Sequence, residues 1–236
     1  MKTLLVIGGS GGIGAAIVAQ YAKQQPRWQI VATFHQHHPN TNYSNVKWRQ
    51  LDACNEQHII ELAKEFTHLD ILINAIGFLH NNTHLPEKSI TEFDPDFMLR
   101  NVKLNTLPSL LLAKHFMLVL KAKTPTHFVT LSAKIGSIED NQLGGWVSYR
   151  SSKAALNMAL KTISIEWRYK LPNCCVFAFH PGTTDTPLSK PFQSNVPPSK
   201  LFTPHYVAQC LMNVVDNTTS NNSGTFYSYD GTEIPW

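Results

Sequence analysis

The feature of this sequence that most constrains its fold is the alternation of short apolar runs with helical patterns along the chain. Seven runs have the length and composition of strands, at 3–7, 28–34, 46–51, 69–74, 127–132, 174–179 and 225–229. Helical patterns lie between most of them, at 12–24, 58–66, 94–123, from Tyr149 to about Lys170, and at 203–215. Runs that are apolar throughout are typical of strands buried on both faces. The alternation therefore predicts an α/β fold with one parallel sheet of about seven strands and helices on both faces.

Length and composition favour one domain over residues 1–236. The chain is 43% hydrophobic and 15% charged, and its net charge of +4 comes without a basic run. Neither a nucleic-acid partner nor a membrane is expected. The first apolar run stops at Gly8, too early for a signal peptide, and the four cysteines form no Cys-x-x-Cys pair, so we expect a cytoplasmic protein. The histidines of "HQHHP" (35–39) lack the spacing of metal ligands, so no metal site is expected.

A glycine-rich loop directly follows the first predicted strand. It reads "IGGSGGIG" from position 7 to 14, and Gly8, Gly12 and Gly14 form the pattern Gly-x-x-x-Gly-x-Gly. Glycines let backbone amides approach a pyrophosphate, and the next helix points its positive N-terminus at the same place. The alternative is a tight turn in an ordinary βα unit. We predict a Rossmann-type, doubly wound domain that binds NAD(P) through Gly8, Ser10, Gly12, Ile13 and Gly14.

The end of the second strand indicates which dinucleotide is bound. An Asp or Glu at this position binds the ribose 2′-hydroxyl of NAD, whereas this chain has Thr33, Phe34 and His35. No carboxylate there repels a 2′-phosphate, and His35, followed by His37 and His38, could donate a hydrogen bond to one. NADP is therefore the predicted cofactor. NAD remains the alternative, because no Arg or Lys lies in the loop or at the strand end.

Motifs along nearly the whole chain resemble those of the short-chain dehydrogenase/reductase family, in the family's order. Besides the glycine loop they are "LDACNE", "INAIGF", "VKLNTLPSLL", "SYRSSK" and the Pro-Gly after the sixth strand. The wording "GSIEDNQLGGWVSYRSSKAALN" resembles the C-factor (C-signal) branch of that family. The resemblance implies further cofactor contacts, from Asp52, Asn74, Ala75, Gly77, Tyr149, Lys153, Pro181, Gly182, Thr184 and Thr186.

A tyrosine and a lysine lie one helical turn apart in "SYRSSK". Tyr149 and Lys153 share a helix face, so the ammonium can stabilise the phenolate and lower the pKa of the tyrosine from its usual value of about 10. Such a pair can exchange a proton with a carbonyl or alcohol oxygen. A packed aromatic beside an exposed lysine is the alternative. The resemblance implies that Lys153 also binds the nicotinamide ribose, and that Asn105 supports a water relaying protons from Lys153 to solvent.

The substrate-orienting serine departs from the family pattern. It is commonly the second serine of a pair at the end of the fifth strand, but "VTLSAKIGSI" has Ser132 in the first place and Ala133 in the second. A shift of one residue along a regular strand turns the hydroxyl to the opposite face, unless a bulge restores it. Ser132 is the predicted substrate-orienting residue, and Ser137 is the alternative.

Together these features predict an NADP-preferring oxidoreductase that reduces a carbonyl or oxidises an alcohol, with Tyr149 as general acid/base. The segment at about 185–210 is expected to form a lid over the small-molecule substrate. The helix that carries Tyr149 is apolar around much of its circumference, and similar proteins pair such helices, so we expect a homodimer or homotetramer. The alternative function is a nucleotide-binding signalling or regulatory protein of the C-factor type, with incidental or no turnover.

Overall fold

A seven-stranded parallel sheet flanked by helices forms the centre of the protein. The computed structural model describes all residues, 1–236. The strands are β1 (Thr3–Ile7), β2 (Gln29–Phe34), β3 (Val46–Gln50), β4 (Ile71–Asn74), β5 (Thr126–Leu131), β6 (Cys174–His180), β7 (Thr183–Thr184), β8 (Leu201–Phe202) and β9 (Thr225–Ser228). The helices are α1 (Gly12–Gln24), α2 (Glu56–Ala63), α3 (Pro95–Asn105), α4 (Leu107–Leu120), α5 (Val147–Lys170) and α6 (Pro204–Asp216).

The strand order confirms the predicted doubly wound α/β fold. The main sheet runs β3-β2-β1-β4-β5-β6-β9, and every neighbouring pair is parallel. Alternate residues of β6 contribute to different cores, because successive side chains of a strand point to opposite faces. Val176 and Ala178 pack on the side of α4 and α5, whereas Phe177 and Phe179 pack on the side of α1 and α6. The strand order reverses between β1 and β4. The candidate site lies at the carboxyl ends of the strands near this point.

Local capping explains where several helices begin. The Asn55 side chain accepts hydrogen bonds at the start of α2, and Asp94, followed by Pro95, does so at the start of α3. Thr203 caps α6 and Pro204 occupies its first turn, as the sequence predicts. Helix α1 is different, because its N-cap is a glycine and no side chain caps it.

The helical pattern over 94–123 corresponds to two helices in the structure. Helix α3 ends at Asn105, and α4 begins at Leu107. Pro108 lies in the first turn of α4. Because proline has no backbone N–H, it cannot continue the hydrogen-bond ladder of α3. The two-stranded sheet of β7 and β8 was not predicted either, since two-residue strands carry no periodic pattern.

Two further sequence expectations concern cysteines and membrane segments. The four cysteines at positions 54, 174, 175 and 210 are all free, and Cys174 and Cys175 are buried in β6. None of the helices combines the length and the apolar character that crossing a bilayer requires.

Helix α5 lies against the loop after β5 through a contact that only glycine permits. A Cβ on Gly136 would lie 2.7 Å from the Cβ of Lys153 and 2.8 Å from its carbonyl carbon. Close-packed interiors do not accommodate such separations without backbone shifts. The absence of a side chain at Gly136 therefore sets how close the loop comes to the helix, and with it the position of Lys153.

We expect Gly136→Ala to lower the free energy of unfolding by about 1–3 kcal/mol, the usual cost of overpacking a fixed contact. Gly77→Ala is the matched control, because its Cβ would meet only the Nζ atom of Lys153, at 4.0 Å. The control should stay within about 0.5 kcal/mol of the parent protein. Urea unfolding monitored by circular dichroism measures both. Equal stability of the two variants would show that the loop and the helix separate at no cost.

Candidate active site

The carboxyl ends of the central strands bring the predicted site residues to one edge of the sheet. Ligands of open α/β sheets bind at this edge, where the strand order reverses. A cavity of about 370 Å³ lies there. Its lining includes the sequence-predicted residues Ile13, Ser132, Tyr149, Pro181, Gly182, Thr184 and Thr186.

The glycine loop is folded tightly back on itself and tied to β2. Gly8 has a φ of +76°, which L side chains rarely adopt, and a Cβ on Gly14 would collide with the carbonyl oxygen of Gly8. The Gly8 N–H donates to Oγ1 of Thr33 at 2.9 Å, and the Ser10 N–H donates to the Thr33 carbonyl at 3.3 Å. Thr33, at the end of β2, therefore holds the loop in place.

The first turn of α1 presents backbone donors that the protein does not use. The N–H groups of Gly12, Ile13 and Gly14 donate to no protein acceptor, and the first turn contains no acidic residue. Buried or clustered backbone donors are normally paired, and the positive end of a helix favours an anion. The residues present therefore fit the pyrophosphate of a dinucleotide. A Cβ on Gly12 would lie 2.6 Å from Cγ2 of Thr186, so the segment after β7 covers this loop closely.

A second cavity, of about 640 Å³, lies beyond the ends of β2 and β3. His35 and Asp52, which the sequence analysis predicts as cofactor contacts, line it together with Arg49 and His58. Arg49 is already paired with Glu65, with its Nε atom 2.8 Å from the carboxylate. The sequence analysis did not identify Arg49 or His58. Arg49 comes near His35 only through the pairing of β3 with β2.

The other two histidines of the "HQHHP" segment do not join His35 in that lining. His38 packs edge-on against Phe34, with ring centroids 5.0 Å apart, and against Trp48 at 6.2 Å. His37 is exposed to solvent. His35 is therefore the histidine of this segment that faces the second cavity.

Tyr149 and Lys153 lie together on α5, both buried, as the four-residue spacing predicts. The Nζ atom of Lys153 lies 6.0 Å from the centroid of the Tyr149 ring and donates to the Leu131 carbonyl at 3.1 Å. The Tyr149 hydroxyl has no protein hydrogen bond, and the residue lines the cavity. Burial lowers the pKa of Lys153 to about 8 and raises the pKa of Tyr149 well above its usual value. The phenol therefore carries its proton at neutral pH. The spacing of the two residues predicts a lowered pKa for Tyr149, whereas burial raises it.

Asn105 ties the loop after β4 to α5 and does not line the cavity. Its Oδ1 atom accepts from the Phe78 N–H at 2.8 Å, and its Nδ2 atom donates to the Phe78 carbonyl and to Oγ of Ser152, both at 2.9 Å. Ser152 directly precedes Lys153. The carboxamide of Asn105 is thus occupied within the protein, in a position that orients the turn of α5 carrying Lys153.

The end of β4 and the residues that follow it are held by hydrogen bonds within the protein. Asn74 is buried, donates to Ser109 at 2.9 Å and accepts from the Ile76 N–H at 3.1 Å. The Ala75 N–H donates to the carbonyl of residue 7 at 2.9 Å, which extends the ladder to β1. Gly77 lies closest to the lysine, as its Cβ position is 4.0 Å from Nζ of Lys153. Asn74 and Ala75 therefore act through the backbone rather than as free polar groups.

Ser132 lines the cavity, but its hydroxyl already has a partner. The hydroxyl donates to Oδ1 of Asn157 on α5 at 2.6 Å. The Ser132 N–H donates to the Phe179 carbonyl at 2.8 Å, so the pairing of β5 with β6 continues through Ser132 without a bulge. Ser137 is buried outside the cavity lining, where its hydroxyl accepts from the Asp140 N–H at 3.1 Å. Ser132, and not Ser137, faces the site.

The expected lid at about 185–210 needs a boundary correction. Residues from Pro204 onward form α6, and Val207 and Ala208 are buried against the body of the protein. The covering segment therefore ends near β8. Its Phe192 packs on Trp146, with ring centroids 4.9 Å apart, and both line the cavity.

The cavity-lining residues that the sequence analysis did not name include Trp146, Phe192 and His180. Trp146 precedes α5 with a φ of +54°, and its N–H donates to the carbonyl of Glu87 at 2.5 Å. Nothing in the sequence pairs these distant positions. His180 was within reach of sequence reasoning, because it directly precedes Pro181 at the carboxyl end of a predicted strand.

Comparisons with known proteins agree with this geometry. The family model described as short chain dehydrogenase matches residues 2–197. An uncharacterized oxidoreductase, C663.09c, of Schizosaccharomyces pombe is 26% identical over 254 residues, covering 100% of this chain and 98% of the relative. C-signal of Myxococcus xanthus is 29% identical over 168 residues, covering 71% and 93% of the two chains.

The fold also matches solved structures. The crystal structure of NADPH-bound carbonyl reductase from chicken fatty liver superimposes with a TM-score of 0.85 at 23% identity, covering 100% of this chain and 94% of that one. At this identity the likeness concerns the fold. The family match over most of the chain has the stronger consequence: the protein belongs to the short chain dehydrogenase family of oxidoreductases.

Proposed function

We propose that the protein is an NADP-preferring oxidoreductase that transfers hydride between nicotinamide and a carbonyl or alcohol substrate, with Tyr149 as general acid/base. One observation carries this proposal. The Tyr149 hydroxyl has no partner in the protein and faces a cavity that Pro181 and Gly182 also line. The hydroxyl is not among the buried unpaired atoms, so it is accessible from the cavity and free to bond a ligand there. Ile13, in the first turn of α1, lines the same cavity, which supports a ligand position next to a bound dinucleotide.

The chain's own groups account for how NADP would be held. The free N–H groups of Gly12, Ile13 and Gly14 would bind the pyrophosphate, and Lys153 would bind the nicotinamide ribose. His35 faces the adenosine end, without an acid at the strand end to repel a 2′-phosphate. The chicken relative of known structure binds NADPH, which supports the same preference here. When bound, the cofactor supplies or accepts the hydride.

The protein supplies the proton and the charge that favours its transfer. The raised pKa of Tyr149 keeps the phenol protonated at neutral pH, so the residue is ready to donate to a carbonyl oxygen. The Lys153 ammonium, charged below its pKa of about 8, stabilises the phenolate that remains. Asn105 positions this pair through Ser152. A polar cavity edge and an apolar wall of Trp146 and Phe192 suit an uncharged carbonyl compound.

We expect NADPH to raise the melting temperature more than NADH at equal concentration. His35→Asp should reverse this order, because a carboxylate at the end of β2 repels the 2′-phosphate and accepts from the 2′-hydroxyl. His37→Asp is the matched control, since it adds the same charge at an exposed position two residues further on. Differential scanning fluorimetry measures all three proteins. A larger shift with NADH in the parent protein would contradict the NADP preference.

We expect Tyr149→Phe to keep folding and the NADPH-induced shift, because the ring remains and one hydroxyl is lost. Turnover of a carbonyl panel should fall by about 10²-fold or more, the scale of a lost acid–base group. Lys153→Met should both weaken NADPH binding and slow turnover, since it removes the ribose contact and the charge. NADPH consumption followed at 340 nm provides the rates.

Two results would contradict the enzyme proposal in different ways. Normal turnover by Tyr149→Phe would remove the tyrosine from the chemistry. NADPH binding by the parent protein without turnover of any carbonyl or alcohol would favour the signalling or regulatory alternative.

Exposed apolar residues on α4 and α5 support a homodimer or homotetramer. Met158 and Ile165 lie two turns apart on α5 and are 66% and 49% exposed, while Leu118 on α4 is 73% exposed. Apolar side chains in such an array typically mark an interface. Apolar residues of α5 thus lie exposed as well as on the buried face of the helix, which supports the proposed assembly.

We expect light scattering at micromolar concentration to give two or four times the 26.5 kDa of one chain. The double substitution Met158→Asp and Ile165→Asp should give the monomer, because it places charges in the contact. Leu143→Asp is the control, since this residue is 91% exposed in the loop that precedes α5 and is not on the helix itself. A monomeric parent protein would refute the assembly.

A cytoplasmic location is also proposed. The four free cysteines support it, because reducing compartments keep thiols unpaired.

A further inference from the structure

Reduction of a carbonyl places developing negative charge on its oxygen, and one donor, Tyr149, is assigned to it above. A second positioned donor normally shares this charge. In this chain the second place of the serine pair is Ala133, which has no hydroxyl. Ser132 has one hydroxyl proton, and that proton is donated to Asn157 at 2.6 Å. The serine position therefore leaves the substrate oxygen without a second donor.

His180 lies where such a donor is needed. It ends β6, and its neighbour Phe179 pairs with Leu131 of β5, so His180 and Ser132 are adjacent on the same face of the sheet. His180 lines the same cavity as Tyr149. The side chain is thus one strand away from the predicted serine, at the same level along the sheet.

The tautomer of His180 is set by the backbone. The Lys134 N–H donates to Nδ1 of His180 at 3.1 Å, so Nδ1 is an acceptor and the ring proton of the neutral form is on Nε2. The Nε2 atom has no protein acceptor and is not enclosed among buried unpaired atoms. An N–H donor therefore remains free on a residue that lines the cavity.

The surroundings of His180 keep its ring neutral. Burial is the main cause, helped by the nearby Lys134 ammonium, and it lowers the pKa of His180 to about 4. The carboxylates of Asp140 and Asp230 raise the pKa of His180, but their effect is smaller than that of burial. Asp140 is itself paired with Lys134 at 2.9 Å. At neutral pH the ring can donate one hydrogen bond without giving up a proton.

We propose that His180 is a catalytic residue whose Nε2–H donates a hydrogen bond to the substrate oxygen, in the role that a second serine would have at position 133. The inference rests on the proposed carbonyl reduction. Hydride adds to the carbonyl carbon, the C=O π pair moves to oxygen, and Tyr149 gives that oxygen its proton. His180 keeps its own proton throughout and stabilises the charge on oxygen before the transfer.

Other polar groups of the cavity are less suited to this role. The Lys134 ammonium is paired with Asp140. The Thr184 hydroxyl donates to the carbonyls of Pro181 and Gly182, and the Ser189 hydroxyl donates to the Thr184 carbonyl at 2.5 Å. Thr183 and Trp146 lie on segments outside the main sheet, whereas His180 is fixed by β6.

Steady-state kinetics of three variants test the proposal, with NADPH and a carbonyl compound that the parent protein reduces. His180→Ala should lower kcat by about 10²-fold, the scale for one lost donor to a developing oxyanion. His180→Gln should recover at least tenfold of that loss, because its amide Nε2 donates from a similar reach. Ser132→Ala should lose less than tenfold. The NADPH-induced melting shift should be unchanged in the two His180 variants, which shows that they fold and bind cofactor.

Three kinetic outcomes would overturn the proposal. One is a kcat for His180→Ala close to that of the parent protein. Another is equal loss in His180→Ala and His180→Gln, which would indicate a packing role. The third is a loss in Ser132→Ala as large as in Tyr149→Phe, which would return the role to the serine. Turnover by the parent protein and its loss in Tyr149→Phe test the proposed function separately.

Nuclear magnetic resonance provides a readout that does not need turnover. In protein labelled with ¹⁵N-histidine at pH 7, His180 should show a protonated Nε2 and an unprotonated Nδ1, identified by the missing signal in His180→Gln. A proton on Nδ1, or on both nitrogens, would overturn the proposal whether or not the protein reduces carbonyls.

Discussion

The burial of the Lys153 ammonium against the end of β5 is the interaction on which the rest of the site depends. Its Nζ atom donates to the Leu131 carbonyl, and the helix comes close enough only because Gly136 has no side chain. Removing a charged amine from water is costly, and the cost appears as a pKa lowered to about 8. That contact fixes the rotation of α5, and with it the direction of Tyr149 one turn away.

The polar groups of the site fall into two sets, those with a hydrogen-bond partner in the protein and those without one. The amides of Asn74 and Asn105 and the hydroxyl of Thr33 are bonded inside the protein, and they hold loops in place. The Tyr149 hydroxyl and the first amides of α1 have no protein partner, although they lie at the same edge of the sheet. Because folded proteins pair most polar groups, the unpaired ones mark where a ligand completes the structure.

The parallel sheet offers a way to replace a missing side chain from a neighbouring strand. Residues at the same level on adjacent strands share a face, and their Cα atoms are only about 4.8 Å apart. Ala133 lies beyond the last regular position of β5, where the hydroxyl of the serine pattern is absent. His180 extends from β6 at the level of Ser132, one residue before that position, with a longer side chain and a donor at its end. Although position 133 has no hydroxyl, His180 gives the site a second polar group.

The sequence by itself determined the fold class and the spacing of several predicted site residues. Continuous apolar runs specify buried parallel strands, the glycine loop specifies a backbone approach to phosphate, and a spacing of four places Tyr149 beside Lys153. These are local or periodic properties, so they can be read without coordinates. Strand and helix ends followed within a few residues, apart from the helix that Pro108 interrupts.

Only the tertiary structure decided the direction of the Tyr149 pKa, the partner of Ser132 and the place of His180. Burial raises the pKa of Tyr149, and burial is a property of the packed chain rather than of the spacing. Ser132 meets Asn157, and Lys134 meets His180, across 25 and 46 residues of sequence. Such pairs depend on strand order and register, which no local pattern encodes.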